Sequence, residues 1–306
     1  MFKKVVITGG NGFLGSSLTK YFHRVTEKIV IISRKPVPTD HVIEWKQWDG
    51  KNPGEWTSAL DGADAVINLA GRSVDCRYTK KNKKEIYDSR LKSTKVIGEA
   101  IRNCTTPPKV WINSSSATIY NGSLTKVMTE ANGDIGDDFS MDVCKKWEAA
   151  FHSFNNLKSR QVILRTSIVL GWDGGALPVL RKLVNYGLGG KQGDGKQFCS
   201  WIHIRDFCRA VEWLIENDSA RGAYNVTAPT PVPNHEFMAA LRKELQAAFG
   251  IGTPEWLLKV GAVFIRTQPE LVLKSRNVYP KRLLDEGFHF RFEKLDAALN
   301  DLAMKA

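Results

Sequence analysis

The feature that most restricts what this chain can become lies near its start, where the apolar run Val5-Val6-Ile7 leads into Thr8-Gly9-Gly10-Asn11-Gly12-Phe13-Leu14-Gly15. A short β-branched run that stops at glycine reads as a buried strand. The next stretch, from Gly12 to about His23, has helical spacing, and a second apolar run follows at Ile29 to Ile32. Together these make a βαβ unit. Within it Gly9, Gly12 and Gly15 are spaced G-x-x-G-x-x-G, and each has a physical use. Gly9 permits the tight turn, Gly12 lets a pyrophosphate approach the backbone, and Gly15 lets the helix pack closely on the strand; the helix N-terminus offers unpaired N–H groups to the anion. The ligand expected at Thr8, Gly9, Gly12, Phe13, Leu14 and Gly15 is a dinucleotide.

The second strand ends in Ser33-Arg34-Lys35, where NAD binding calls for a carboxylate to accept the ribose hydroxyls. None stands there. Ser33 and Arg34 suit a 2′-phosphate instead, with the guanidinium able to pair with it and to stack on adenine, so NADP (NADPH) is favoured over NAD. The alternative is an Arg34 that simply decorates the surface after a strand.

Further strand-like runs occur at Ile43 to Trp48, Ala65 to Leu69, Val110 to Asn113 and Val162 to Leu170, with helical stretches between most of them. Parallel strands need crossovers, which are usually helices. The fold class is therefore α/β, a Rossmann doubly wound parallel sheet with a smaller C-terminal substrate lobe. The NADP-binding Rossmann domain is placed at residues 1–171, with sheet returns around 200–228, and the substrate lobe at 172–306, including a small C-terminal domain at about 250–300. Past residue 171 the pattern loosens into glycine turns, a helix near Asp206 to Glu216, a strand near Tyr224 to Thr227, and helices beginning near Asn234 and Pro254.

With 306 residues, 42% of them apolar, the chain can bury a large core as an ordinary globular protein. Its net charge of +12 is scattered apart from Lys80-Lys81-Asn82-Lys83-Lys84, which reads as a solvated helix face. Attraction of an anionic substrate or of nucleic acid is the alternative, but nucleic acid has only the charge in its favour, with no groove of interleaved aromatic and basic residues. The five cysteines, Cys76, Cys104, Cys144, Cys199 and Cys208, form no CxxC pair and no spacing with histidine that suggests a metal. They read as reduced thiols of a cytoplasmic protein. No signal-peptide core or membrane span is expected, and homodimerisation stays open.

Three more segments carry a family resemblance: Asn68-Leu69-Ala70-Gly71 after the fourth strand, Ser114-Ser115-Ser116-Ala117-Thr118-Ile119-Tyr120 after the fifth, and the glycine loop itself. The chain resembles atypical or extended short-chain dehydrogenases/reductases of the NAD-dependent epimerase/dehydratase type over most of its length. Arg77-Tyr78, Asp88-Ser89-Arg90, Trp147-Glu148, Trp201-Ile202-His203-Ile204-Arg205-Asp206, Tyr279-Pro280-Lys281-Arg282-Leu283 and Gly287-Phe288-His289-Phe290 are similar to an epimerase-like subgroup whose C-terminal domain has no known role.

The resemblance implies that Leu69, Ala70 and Gly71 run along the adenosine and pyrophosphate, and that Ser116 hydrogen-bonds the substrate oxygen. It also implies an acid/base tyrosine and, four residues later, a lysine on the next helix. Counting back from Glu148, those positions hold Ser140 and Cys144. Ser140 is far too weak an acid to relay a proton as an activated phenol does, and Cys144 has no fixed positive charge. Lys145 lies one residue on, about 100° round the helix, and Tyr120 is a second phenol, for acid/base work or for lining the pocket. Arg90 stands where the wider family often has asparagine and is expected to contact the cofactor or an anion. Arg165 and Thr166 close the sixth strand beside the expected nicotinamide position. Phe198, Trp201 and His203 are candidate substrate contacts, against a core role for the aromatics and a helix-start role for His203 with Asp206.

Two functions follow: an NADP-dependent oxidoreductase or epimerase acting on a carbonyl, hydroxyl or nucleotide-sugar-like small molecule through a non-standard site, or a non-catalytic NADP-binding sensor that no longer needs the tyrosine and lysine. A nucleic-acid-binding Rossmann protein is the third reading.

Overall fold

A computed structural model of the chain describes residues 1–264, 268 and 270–304. Its strands are β1 (Phe2–Thr8), β2 (Thr26–Ser33), β3 (Ile43–Gln47), β4 (Ala65–Asn68), β5 (Val110–Ser116), β6 (Arg160–Thr166), β7 (Ile168–Gly171), β8 (Gly174–Gly175), β9 (Phe198–Cys199), β10 (Trp201–His203), β11 (Gly222–Val226) and β12 (Val232–Pro233). The α-helices are α1 (Phe13–Phe22), α2 (Lys80–Arg102), α3 (Phe139–His152), α4 (Leu177–Asn185), α5 (Ile204–Glu216), α6 (Asn234–Glu244), α7 (Glu255–Phe264), α8 (Glu270–Leu273), α9 (Lys281–Asp285) and α10 (Leu295–Ala303).

Seven parallel strands in the order β11-β6-β5-β4-β1-β2-β3 form the central sheet. Both faces are covered because successive residues of each strand point opposite ways and both sets are apolar. Val5 and Ile7 pack with Leu18 and Phe22 of α1 and with Phe207, Val211 and Leu214 of α5. Val6 packs on the other side with Ile97 and Ile101 of α2 and Phe151 of α3. The chain leaves β1 toward β2 on one side and returns to β4 on the other, so the crevice at the carboxyl ends of β1 and β4 is the topological switch point where such sheets bind ligands.

Two expectations change. The sixth strand does not run unbroken from Val162 to Leu170: it breaks at Ser167, whose N–H turns to the Val226 carbonyl (3.1 Å), and β7 leaves the main sheet to pair with β10 and β8. The sheet return is accordingly β11 alone, beside β6. Nor does the C-terminal segment stay within its own lobe. Leu283, Phe288 and Phe290 belong to the apolar layer that holds α1 and α5, whereas Leu295, Leu299 and Leu302 of α10 pack with α6 and Trp201. Among the described residues no helix is long and apolar enough to cross a membrane.

Candidate functional site

The glycine turn is built for close approach. Gly9 has φ +73°, and a Cβ there would sit 3.0 Å from the Leu69 carbonyl group; one on Gly15 would lie 2.5 Å from the Gly10 Cα. A Cβ on Gly12 would meet nothing nearer than the Gly9 oxygen at 3.5 Å. Gly12 is the N-cap of α1 and has no side chain to occupy the first N–H groups of the helix, which therefore stay open at the switch point. Phe13 packs against the turn after β7, its ring 2.5 Å from where a Cβ of Gly171 would stand, and Leu14 packs on the layer below.

A buried polar chain fixes the neighbouring loop. The Thr8 hydroxyl donates to Asn68 Oδ1 (2.7 Å), which also accepts the Ala70 N–H (3.1 Å), and Asn68 Nδ2 donates to Asn113 Oδ1 (2.7 Å). Thr94 joins through its hydroxyl (3.3 Å to Asn113) and accepts the Trp147 indole N–H (2.9 Å). Leu69, Ala70 and Gly71 are thus held over the ends of β1 and β4 by residues from β5, α2 and α3. Sequence reading missed Thr94 and Asn113, because their partners lie tens of residues away.

At the far end of β2, Ser33 is buried, donates to the Lys35 carbonyl (2.6 Å) and accepts from the Trp45 indole N–H (3.0 Å). This hydroxyl shapes the turn, which corrects its expected place in the phosphate pocket. Arg34 is exposed and makes no hydrogen bond or ion pair among the described residues.

Ser116 ends β5. Its oxygen lies 3.0 Å from the Thr118 hydroxyl and accepts the Thr118 N–H (3.2 Å). With Thr118, Thr166, Ser167, Ser200 and Arg276 it lines a cavity of about 120 Å³. Cys144 lies buried below it on α3, where burial pushes the thiol up to about 12 and keeps it neutral. The Ser140 hydroxyl is shut off from solvent without a hydrogen-bond partner among the described residues. Arg90 lies over Gly71, its guanidinium carbon 3.3 Å from where a Cβ would be, donates to the carbonyls of Arg72 (3.0 Å) and Ile86 (3.2 Å), and stands 5.0 Å from the centre of the Trp147 ring.

Several expected roles fail on geometry. Arg165 does not reach toward a nicotinamide: its Nε and Nη2 donate to the two Glu148 oxygens (3.0 and 2.8 Å) and its Nη1 to the Tyr120 hydroxyl (2.8 Å). A guanidinium taken into a sheet needs its donors satisfied, and for Arg165 α3 supplies a carboxylate. Tyr120, 1% exposed, donates onward to Asn225 Oδ1 (2.9 Å), and burial holds its hydroxyl above the usual phenol range. With both hydrogen bonds committed, it neither exchanges protons with a ligand nor lines a pocket. Lys145 points outward to Asp137. Trp201 is fully buried, its indole donating to the Thr230 carbonyl (3.0 Å). His203 caps α5 by accepting the Arg205 N–H at Nδ1 (3.0 Å), stacks on Phe292 (4.0 Å) and lies 3.3 Å from Asp301 through Nε2, so its imidazole is structural. Phe198 contributes backbone instead of ring: its carbonyl accepts the Arg276 N–H (2.7 Å).

Sequence reading assigned no role to Tyr78, Glu270 and Arg276. The Tyr78 hydroxyl and Glu270 Oε1 are both enclosed and face each other, and burial, then Glu270, raises the phenol. The Tyr78 ring packs edge-on against Phe139, the neighbour of Ser140, with centroids 4.6 Å apart.

A sequence model of the NAD-dependent epimerase/dehydratase family matches residues 5–227, and one of a domain of unknown function, DUF1731, matches residues 253–302. An epimerase family protein of Staphylococcus saprophyticus is 34% identical over 301 residues, covering 98% of this chain and 99% of the relative. The human epimerase family protein SDR39U1 (isoform 2), solved with NADPH, superposes with a TM-score of 0.88 at 32% identity, over 99% of this chain and 100% of that one. MoeE5, solved with UDP-glucuronic acid and NAD, superposes at 0.77 with 19% identity over 98% of this chain and 97% of its own, a likeness of fold alone.

Proposed function

This chain belongs to the NAD-dependent epimerase/dehydratase family, and on that premise we propose that it is an NADP-dependent oxidoreductase or epimerase-like enzyme acting on a small carbonyl or hydroxyl compound. The observation that carries this is the uncapped N-terminus of α1 at the switch point, framed by glycines that leave room for a pyrophosphate. The residues present fit the cofactor: Gly9, Gly12 and the first N–H groups of α1 would hold the pyrophosphate, Leu69, Ala70 and Gly71 would flank it, and the exposed Arg34 would meet the 2′-phosphate. The human relative solved with NADPH supports that preference.

When bound, the cofactor supplies hydride chemistry. Ser116 would hydrogen-bond the reacting oxygen from the cavity wall, and the enclosing hydroxyls would exclude bulk water. Ser140 and Cys144 cannot relay its proton. Tyr78, the phenol packed on Phe139 with Glu270 against its hydroxyl, is the candidate for that step. The absence of the usual tyrosine and lysine favours a second reading, an NADP-binding sensor without turnover.

Fluorescence titration with NADPH and NADH separates the cofactors. Arg34→Ala is expected to weaken NADPH by about 10- to 100-fold, the worth of a charge-assisted contact, and to leave NADH within about twofold. Ser33→Ala should change either by less than about threefold, because its hydroxyl already serves Trp45 and Lys35. Equal loss of both cofactors in Arg34→Ala overturns the 2′-phosphate assignment. NADPH oxidation with a panel of small carbonyl compounds then decides between enzyme and sensor.

A further inference from the structure

We propose that the substrate carries a carboxylate close to its reacting oxygen, and that Arg276 binds this carboxylate in the cavity beside Ser116, with the charge of Arg90 nearby. The proposal rests on the reading of Ser116 as the group that meets the substrate oxygen.

Arg276 is placed with some force. Its N–H donates to the Phe198 carbonyl (2.7 Å), its own carbonyl accepts the Ser200 hydroxyl (2.6 Å), and the adjacent Ser275 hydroxyl accepts the Phe198 N–H (3.0 Å). These contacts clip the segment onto β9 and its continuation and bring Arg276 into the wall of the cavity that Ser116 also lines. Its guanidinium makes one hydrogen bond, to the Ser275 carbonyl (3.0 Å), and no ion pair among the described residues. Burial pulls its proton affinity below that of an ordinary arginine, which shows the cost of holding it there. Arg90 is in the same condition: burial lowers it too, it has carbonyls and an indole face for company, and it too forms no ion pair among the described residues. Buried guanidiniums elsewhere in the fold are fully engaged, Arg165 by the Glu148 carboxylate and Arg160 by three backbone carbonyls, whereas that of Arg276 makes a single hydrogen bond.

Arg276 lines the cavity itself, and Arg90, outside its wall, lies within electrostatic reach of the same Cys144 thiol and Tyr78 hydroxyl. That place also holds the Ser140 hydroxyl, enclosed without a hydrogen-bond partner among the described residues, whereas Tyr78 Oη and the Glu270 carboxylate face each other. Enclosed polar groups are nearly always satisfied, so the exception at Ser140 is consistent with a ligand beside it.

Charge fixes the class. The carboxylates near Arg276 are Glu270 and Asp138, and both are held by Lys274, at 3.1 and 2.5 Å. With Arg90, Arg276 and Lys274 against those two acids, one positive charge is left without an answer. A carboxylate cancels it; a phosphate monoester, near two negative charges, overshoots. The planar guanidinium fork matches carboxylate geometry. A cavity of about 120 Å³ has the room of roughly four waters, enough for a carboxylate and the carbon bearing the reacting oxygen, as in a 2-oxo or 2-hydroxy acid.

The test is calorimetric titration of the full chain, with and without NADPH, using pyruvate, oxalate, methyl pyruvate and inorganic phosphate as probes. Pyruvate or oxalate should bind, methyl pyruvate at least tenfold more weakly. Arg276→Met should reduce carboxylate binding by at least 30-fold while the melting temperature and NADPH affinity stay near wild type, and Arg276→Lys should recover part of the loss. The ester comparison uses the wild-type chain, so it decides even if the variants fold poorly. Equal binding of acid and ester, preference for phosphate, no carboxylate binding, or carboxylate binding unchanged in a folded Arg276→Met protein overturns the proposal. Failure to bind NADPH instead overturns the cofactor reading, and leaves the Arg276-dependent binding of carboxylate to be read on its own.

Discussion

Gly12→Val should fold as the wild type does and bind NADPH about 100-fold or more weakly, a loss near 2.7 kcal/mol. The three glycines of the turn differ in what crowds them. A side chain at Gly9 would strain a left-handed residue and press on the Leu69 carbonyl at 3.0 Å, and one at Gly15 would collide with the Gly10 backbone at 2.5 Å, so both substitutions damage the protein itself. Gly12 has φ −84°, open to any residue, and only the Gly9 oxygen at 3.5 Å for company. Protein packing does not demand glycine there; a pyrophosphate lying against the helix N-terminus does. Valine is a poorer N-cap than glycine, which should cost about 1 kcal/mol of stability at most. Parallel urea unfolding and NADPH fluorescence titrations read the two effects separately. A stable Gly12→Val protein with wild-type affinity would remove the phosphate from this turn, whereas Gly9→Val should lower the unfolding midpoint as well as affinity.

That contrast also indicates which parts of the molecule are legible in the sequence. The glycine loop could be read because turn, strand end and helix start are contiguous, and the alternation of Val5, Val6 and Ile7 between two apolar layers was written in the same few residues. Counting back from Glu148 put Ser140 and Cys144 on α3, and the structure buries both on that helix. What failed were roles that depend on distant partners. Arg165 looked available because nothing near it in sequence is acidic, yet Glu148 on the preceding helix takes it. Ser33 looked like a phosphate ligand until Trp45, on the adjacent strand, claimed its oxygen. Trp201 was an aromatic in a promising segment, but the lobe needed a core, and α6 and α10 close over it. Arg276 carried no local signal because its position comes from hydrogen bonds to Phe198 and Ser200, more than seventy residues earlier. The break at Ser167 was equally hidden, since both halves of that strand are apolar and only pairing with β10 separates them.

Asp206→Ala should destabilise the protein by about 3 kcal/mol or more, seen as a lower urea midpoint, although the residue sits far along the chain from the segment it holds. Asp206 is fully buried in the first turn of α5, where its carboxylate accepts the N–H groups of Arg291 (3.0 Å to each oxygen) and Phe292 (2.8 Å) and pairs with Arg209 (2.8 Å). Removing it leaves the buried Phe292 N–H and the part-buried Arg291 N–H without their acceptor. Each orphaned donor costs roughly 1–3 kcal/mol, and the helix N-terminus loses a favourable charge worth a few tenths more. Arg209 is half-buried and can rehydrate, so it adds little. Asp206→Asn keeps one acceptor oxygen and should recover part of the loss. The same contact joins the C-terminal segment to the Rossmann part, with Phe292 stacked on His203 next door. Hydrogen exchange should therefore show the Arg291 and Phe292 amides losing protection first in Asp206→Ala. If the midpoint and those amides stay at wild-type values, the segment is attached by the apolar contacts of Leu283, Phe288 and Phe290 alone, and the carboxylate is dispensable.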